Sequence, residues 1–463
     1  MPVYRTLSIT VALLSVLSTE AAELPPPVIP AGVGVNIHFT RGHERDLDLI
    51  ATAGFRFVRM DFTWEAIERR QGSYDWSAYD ELTANLEKRG LRALYILDYS
   101  NRLYEKTVTV KNRRTGKDFQ ATAAPRHPQS VAAFARWAAA AAKHFRGRHI
   151  LWEVWNEPNI GFWKPEPDVR QYANLLLATG KAIRRADPEA TLVAPASSGF
   201  PWPFLEELFK AGALEYLDAV SVHPYRDFRK GPETAEEDFQ KLRQLIARFA
   251  PADKKDLPIL SGEWGYSTHT KGISLDNQAA FLVRQQLCNL WQGIALSIWY
   301  DWKNDGEDPD ENEHNFGTVY PDLRPKPSYL AVQTMTRQLD GFQIVRRIAT
   351  PNADDYLLWC QHPAGGWKLA AWTVGAPHDV ALDLEVKSGE GLTAVGIRGD
   401  RTSVRWVKGK AWLRLSGEPQ YVGYESKAGE KLSGNALGNL LDWGKRFRFS
   451  LGDLACSAVG CRP

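Results

Sequence analysis

Two glutamates in this chain stand in settings where a carboxyl group could act as a general acid, a base or a nucleophile. One lies in the run Trp152-Glu153-Val154-Trp155-Asn156-Glu157-Pro158-Asn159, the other in Pro258-Ile259-Leu260-Ser261-Gly262-Glu263-Trp264-Gly265-Tyr266. Each ends a short apolar run of strand-forming character and precedes a loop rich in Pro, Trp or Gly. A carboxylate in such a setting is a poor choice for a solvated surface group. Hydrolysis between sugars uses two carboxyl groups that flank the scissile bond. A structural ion pair would account for either glutamate alone, but much less well for both at the ends of two separate strands. Glu153 shares strand parity with Glu157 and is expected to face inward as a buried, paired support.

The elements that must position these groups are legible as an alternation. Strand-like runs fall at 34–39, 55–61, 93–98, 149–155, 191–196, 219–223, 258–263 and 295–300, with helical patterns between them, among them 130–145, 169–186, 234–249 and 276–291. The first of these four helices is rich in Ala, which favours helix intrinsically. Eight strands alternating with helices predict a (β/α)₈ TIM barrel over about residues 31–338, with functional groups at the C-terminal strand ends. The two glutamates then end the fourth and seventh strands. An open, doubly wound sheet is the competing architecture. No glycine-rich phosphate fingerprint follows the first strand, where Asn36-Ile37-His38-Phe39 stands instead. From 341 to 425 the pattern shifts to shorter runs at 355–360, 368–374, 380–386 and 404–407, separated by turn signals such as Gly365-Gly366 and Lys408-Gly409. That predicts a small C-terminal antiparallel β-domain of sandwich-like type. Residues 426–463 form a Gly-rich tail with no assignable fold.

The Trp-Asn-Glu-Pro-Asn run and the later Gly-Glu-Trp make the 31–338 region resemble the clan A retaining glycoside hydrolases, families 5 and 39 in particular. The resemblance implies that Glu157 is the acid/base and Glu263 the nucleophile. It further implies carboxyl groups about 5–5.5 Å apart, as retaining enzymes have them. Arg59, in Val58-Arg59-Met60-Asp61, resembles the arginine that hydrogen-bonds the nucleophile, where a cation stabilises the carboxylate. Asn156 resembles the residue that holds the sugar 2-hydroxyl. His223-Pro224-Tyr225 resembles a His-x-Tyr pair in which Tyr225 orients Glu263 and His223 contacts sugar or the acid/base. Trp299 resembles the platform under the sugar at the cleavage point. His38 and Asp98 end the first and third strands at the same mouth and are candidate sugar contacts, as is Trp264 beside the nucleophile. In the reaction so implied, Glu157 first protonates the leaving group and later, as a base, activates water.

Composition fits this reading and narrows it. The chain has 463 residues, enough for a barrel plus a smaller domain, and its formal net charge of +2 gives no electrostatic case for nucleic acid. It carries 17 Trp and 16 Tyr, many in loops after strands: Trp64, Tyr99, Trp163, Trp202, Tyr266 and Trp302 besides those above. Such rings either stack on sugar faces or fill cores. Residues 1–22 read as a signal peptide, with Arg5, an apolar run from 7 to 17 and Thr19-Glu20-Ala21-Ala22 at the cleavage end, which predicts a secreted or periplasmic protein. No transmembrane segment is expected beyond it. Cys288 and Cys360 lie in apolar runs, Cys456 and Cys461 could close a small loop, and none has zinc spacing with histidine. The acidic run 301–315 departs from a calcium loop at Lys303 and Asn312. No metal or cofactor is expected, and that run is expected to offer hydroxyl acceptors to substrate. The insertion 100–125 reads as a hairpin. Long loops favour an oligo- or polysaccharide substrate cut internally, an exopolysaccharide or β-glucan. Exo-action of β-xylosidase type and a non-catalytic carbohydrate-binding matrix protein are the alternatives.

Overall fold

The computed structural model describes residues 24–111, 115–384 and 391–424. The expected leader, the tail with Cys456 and Cys461, the hairpin turn at 112–114 and the end of the 380–386 run lie outside the described residues.

Eight parallel strands close into a barrel: β1 Val33–Asn36, β2 Phe57–Thr63, β3 Arg92–Asp98, β4 Leu151–Val154, β5 Thr191–Ser198, β6 Ala219–His223, β7 Ile259–Trp264 and β8 Ser297–Trp299. Each expected strand is present, within a few residues at either end. The helices between them start where the sequence supplies donors' partners. Asp168 accepts from the N–H groups of Arg170 and Gln171 ahead of Val169–Ala186, and Ser274 accepts from Asn277 ahead of Leu275–Trp291. Pro128–His144 opens on a proline, whose missing N–H costs nothing there, and buries Ala133, Phe134, Trp137, Ala138 and Ala141. The expected hairpin is formed by Thr107–Lys111 and Asp118–Thr122, paired antiparallel.

The barrel interior fixes the phase of every strand. Its lower end is plugged by Phe57, Leu94, Leu151, Val193, Ala219, Leu260, Leu296 and Ile298. Side chains alternate across a strand, so two residues further up the inward positions are Arg59, Ile96, Glu153, Ser221 and Gly262. One step higher come Asp61, Asp98, His223 and Tyr300. The apolar plug thus becomes a polar layer toward the C-terminal strand ends, which is where a barrel carries its chemistry.

The C-terminal part is two antiparallel sheets. Six strands, β9 Gln343–Arg347, β10 Asp355–Gln361, β11 Trp367–Thr373, β12 Leu392–Val395, β13 Arg401–Ser403 and β14 Gln420–Tyr424, form one sheet; His378–Leu382, Arg405–Val407 and Lys410–Leu415 form the other. Alternation along β10 and β11 sends Tyr356, Leu358, Cys360, Ala370 and Trp372 into the main core shared with the barrel. It sends Leu357, Leu369 and Ala371 into a second core, closed by Leu382, Leu413 and Leu415 of the smaller sheet. One compact unit ending at Gly423 holds the barrel and both sheets. Cys288 and Cys360 are buried thiols. No helix among the described residues is long and apolar enough to cross a membrane.

A buried ion pair fastens sheet to barrel. Arg284 donates to both oxygens of Glu233, each at 2.7 Å, and Trp372 Nε1 of β11 donates to the same carboxylate at 2.9 Å. Both charged side chains are less than a tenth exposed. Removing one charge strands the other in a low-dielectric site, so Glu233→Ala should lower unfolding free energy by about 3–5 kcal/mol in urea. The charge-free double variant Glu233→Gln/Arg284→Met should cost less than the single one. A single-variant loss below about 1 kcal/mol would rule out this role.

Candidate active site

Arg59 organises the polar layer. Its guanidinium is 1% exposed and spends its donors on four groups: Nε on Glu153 Oε2 at 2.7 Å, Nη1 on Glu263 Oε2 at 2.5 Å and on Asn36 Oδ1 at 3.3 Å, and Nη2 on Asn156 Oδ1 at 2.8 Å. Burial alone would lower the Arg59 pKa, but the adjacent Glu153 and Glu263 charges outweigh it and raise it, so the cation is permanent. Glu153 is fully buried, and its second oxygen accepts from Ser221 Oγ at 2.5 Å. It is a paired support, as its parity suggested. Gly262 makes room for this contact: a Cβ there would lie 2.3 Å from Ser221 Oγ and 3.0 Å from Glu153 Oε1.

Glu263 is held at both oxygens, by Arg59 and by Tyr225 Oη, which donates to Oε1 at 2.8 Å. Burial, reinforced by the Glu263 charge, raises the Tyr225 pKa, so the phenol keeps the proton it donates. Glu157 faces Glu263. Its Oε1 lies 3.0 Å from His223 Nδ1, and the same nitrogen is 4.0 Å from Glu263 Oε2. Atoms of Glu157, His223 and Glu263 all lie within 4.8 Å of one another. This nearest approach, of one oxygen from each carboxyl group, is shorter than the roughly 6.5–9.5 Å that leaves room for an inverting water. The backbone is shaped to present Glu157. Its φ is 45° and that of Trp155 is 69°, a left-handed region in which non-glycine residues are strained. The Glu157 N–H is secured by Ala196 O at 3.0 Å.

The structure thus brings together Arg59, Asn156, Glu157, His223, Tyr225 and Glu263. His38 also reaches the mouth, exposed, with Nε2 3.5 Å from Asp301 Oδ2. Three expected contacts are placed differently. Trp299 is 0% exposed, because β8 turns Ile298 and Tyr300 inward and Trp299 outward into the helix layer. The ring that faces the cleft at this strand end is Tyr300, half-buried and near Glu263 and Tyr225. Trp264 is likewise 0% exposed, packed between Tyr266 and Arg226. Asp98 has the expected inward phase but is fully buried beside Asp61, and burial together with the Asp61 charge pushes its carboxyl well above the ordinary range. Trp64, Trp163 and Trp302 are core residues whose indole N–H groups donate to Glu68, Gln171 and Asp46. Sequence reasoning passed over Asn36, Asp61, Ser221 and Tyr300; strand parity counted from Arg59 would have found Asp61, two residues on in the same strand.

The acidic run after β8 is only partly open. Asp301 is 1% exposed, and with His38 and the exposed Asp305 it forms a cluster whose polar atoms lie within 4.8 Å.

The cellulase (glycosyl hydrolase family 5) model matches residues 31–306, more than half of the chain, and the chain belongs to that family. Two curated proteins named Beta-xylosidase are similar over shorter spans. That of Geobacillus stearothermophilus is 33% identical over 98 residues, 20% of this chain and 19% of that protein. That of Caldicellulosiruptor saccharolyticus is 26% identical over 212 residues, 42% of this chain and 43% of that protein. The matched regions therefore span under half of either relative. Among solved structures, a family 39 glycoside hydrolase from Bacteroides cellulosilyticus WH2 shares the fold with a TM-score of 0.73 at 24% identity, covering 87% of this chain and 81% of that one. A GH39 β-xylosidase from Caulobacter crescentus does so with a TM-score of 0.62 at 18% identity, covering 88% and 98%.

The buried acid at the mouth has a consequence for stability. Burial is the main cause that raises the Asp301 pKa from 3.8 to about 7, and His38, which burial alone would lower, is raised by its contact with Asp301. Asp301 binds its proton more tightly folded than unfolded, so folding takes up a proton between pH 3.8 and about 7. Resistance to urea should fall as pH rises through that window, and Asp301→Asn should flatten the slope. A slope unchanged in the variant would rule Asp301 out as its source.

Proposed function

We propose that the chain cleaves β-glycosidic bonds by double displacement, with Glu263 as nucleophile and Glu157 as acid/base. The observation that carries this is the pair of facing carboxyl groups, held by different donors. Arg59 and Tyr225 aim Glu263 and stabilise its negative form, as attack on an anomeric carbon requires. Glu157 is tied at one oxygen to His223, which leaves the other for the leaving-group oxygen and then for water. Asn156, fixed between Arg59 and Tyr99, is positioned to hold a hydroxyl of the sugar over Glu263, with the rings of Tyr225 and Tyr300 on the same side.

We infer a β-xylosidic substrate as the favoured case, supported by the names of both curated relatives. Internal cleavage of a longer chain, an exopolysaccharide or β-glucan, is the second reading, supported by the hairpin after β3. Product sizes from xylo-oligosaccharides and from a β-glucan decide between them: monosaccharide release marks exo-action, and a ladder of oligomers marks internal cutting. Export to the periplasm or medium is proposed from residues 1–22 and is tested by where the activity is found in fractionated cells.

The roles separate experimentally. Glu157→Ala should lower kcat/KM by about 10²–10⁴-fold on a poor leaving group, and far less on a nitrophenyl glycoside that needs no proton. Azide should rescue it and yield the β-glycosyl azide, whereas azide with Glu263→Ala should yield the α-azide. Full activity in either variant would refute the assignment.

Tyr225→Phe keeps the ring and loses one bond to a charged group. Its kcat should fall about 10–100-fold with KM little changed. A kcat within twofold of the parent would show that Tyr225 does not orient Glu263.

A further inference from the structure

The loop that follows Glu157 carries an open aromatic face that the reaction proposed above leaves unused. Phe162 is 40% exposed, and its neighbour Trp163 is 0% exposed. Trp163 pins the loop: its ring packs 5.0 Å from Trp155 and 5.6 Å from Tyr172, and its indole N–H donates to Gln171. Backbone bonds from Ile160 to Glu157 O and from Trp163 to Ile160 O, both 3.1 Å, tighten the turn. Phe162 is therefore held outward by a rigid base. Its ring lies nearly parallel to that of Tyr99, with centroids 5.8 Å apart and planes 10° from each other. Tyr99 is in turn fixed by Asn156 Nδ2, which donates to its hydroxyl at 3.0 Å, and by edge-on packing against Trp155. Phe162 thus lies beside a ring bonded to the site, while the residue stays 40% exposed.

We infer that Phe162 is the stacking platform for the leaving-group sugar, a binding position on the acid side of the cleft. The inference rests on the roles proposed for Glu157 and Glu263. The sugar attacked by Glu263 lies on the side of Tyr225 and Tyr300, whereas the group that departs takes its proton from Glu157. Phe162 lies five residues beyond Glu157 in the same short loop, whose turn is closed on Glu157 O by the Ile160 N–H. Sugars expose C–H faces that pack on aromatic rings while their hydroxyl edges stay hydrated, and a flat ring with no polar atom suits varied sugars better than one fixed hydrogen-bond pattern. The same platform would hold an acceptor sugar during the second half-reaction and so favour transfer over hydrolysis.

The test compares Phe162→Ala with Phe162→Tyr on two matched probe pairs, β-xylobiose with β-xylosyl fluoride and cellobiose with β-glucosyl fluoride, using whichever pair the parent enzyme turns over. Fluoride needs neither protonation nor a platform. Phe162→Ala should lower kcat/KM on the disaccharide about 3–10-fold, mostly through KM, leave the fluoride rate unchanged, and reduce transfer from the fluoride to added sugar. Phe162→Tyr should restore all three. Equal losses on disaccharide and fluoride, or no loss on the disaccharide, would overturn the platform while leaving the glycosidase reading intact. A parent enzyme inert toward both pairs would overturn both.

Discussion

The buried guanidinium of Arg59 is the constraint on which the rest of the site depends. A lone cation at that depth would be very costly to desolvate, and it is tolerable only because carboxylates surround it. Two carboxylates share it, and the second matters as much as the first. Were Glu263 its sole partner, the pair would neutralise each other and the proposed nucleophile would be bound up in an ion pair. Glu153 matches the Arg59 charge from below, with Ser221 on its other oxygen, so the three-group cluster carries a net negative charge. That excess resides at the top, on Glu263, the one member that is partly open to the cleft. The fork geometry of arginine also matters: Nε, Nη1 and Nη2 reach β4, β7 and the Asn156 loop at once, which a lysine could not do.

The barrel supplies the frame that lets one side chain span those strands. Parallel strands with an apolar plug below leave a defined number of inward positions above it, and each strand contributes in phase with its neighbours. Where backbone must come close, the chain uses glycine, as at Gly262, so that Glu153, Ser221 and His223 can converge. The C-terminal sheets support this frame from outside. One face of the larger sheet is part of the barrel's own core, and the Glu233–Arg284–Trp372 contact fastens β11 to a barrel helix. The sheet thus stabilises the shell of helices around the strands.

Much of this was legible in the sequence because the signals were of the right physical kind. Alternating strand and helix periods marked the barrel, and Glu157 and Glu263 were conspicuous as carboxylates at apolar strand ends. What was misplaced has equally physical causes. Residues 295–300, Ala-Leu-Ser-Ile-Trp-Tyr, are apolar on both faces, as parallel strands buried on both sides are, so no polar alternation revealed that Tyr300 rather than Trp299 faces in. Asp98 had the right phase, but depth is not written in phase, and Asp61 and Tyr99 close over it. Trp64, at the start of a short helix, and Trp163 and Trp302, in loops, fold back on the barrel, where Glu68, Gln171 and Asp46 satisfy their indole N–H groups. Ser221 is too small and common a residue to stand out, although it completes the Glu153 pair.

The division of labour between the two glutamates finds support in the structure that is independent of strand number. Glu263 accepts from Arg59 at one oxygen and from Tyr225 at the other, so both lone-pair directions facing the protein are committed and the group is fixed in orientation. A nucleophile gains from that, because attack on carbon needs one oxygen held along one line. Among the described residues only His223 bonds the Glu157 carboxyl group, at a single oxygen. An acid that becomes a base within one turnover must release and regain a proton, and donors at both oxygens would oppose its protonated form. His223 is buried within reach of both carboxyl groups, with Nδ1 3.0 Å from Glu157 Oε1 and 4.0 Å from Glu263 Oε2. The asymmetry in donors fits the opposite roles proposed for two chemically identical side chains whose nearest oxygens lie within 4.8 Å of each other.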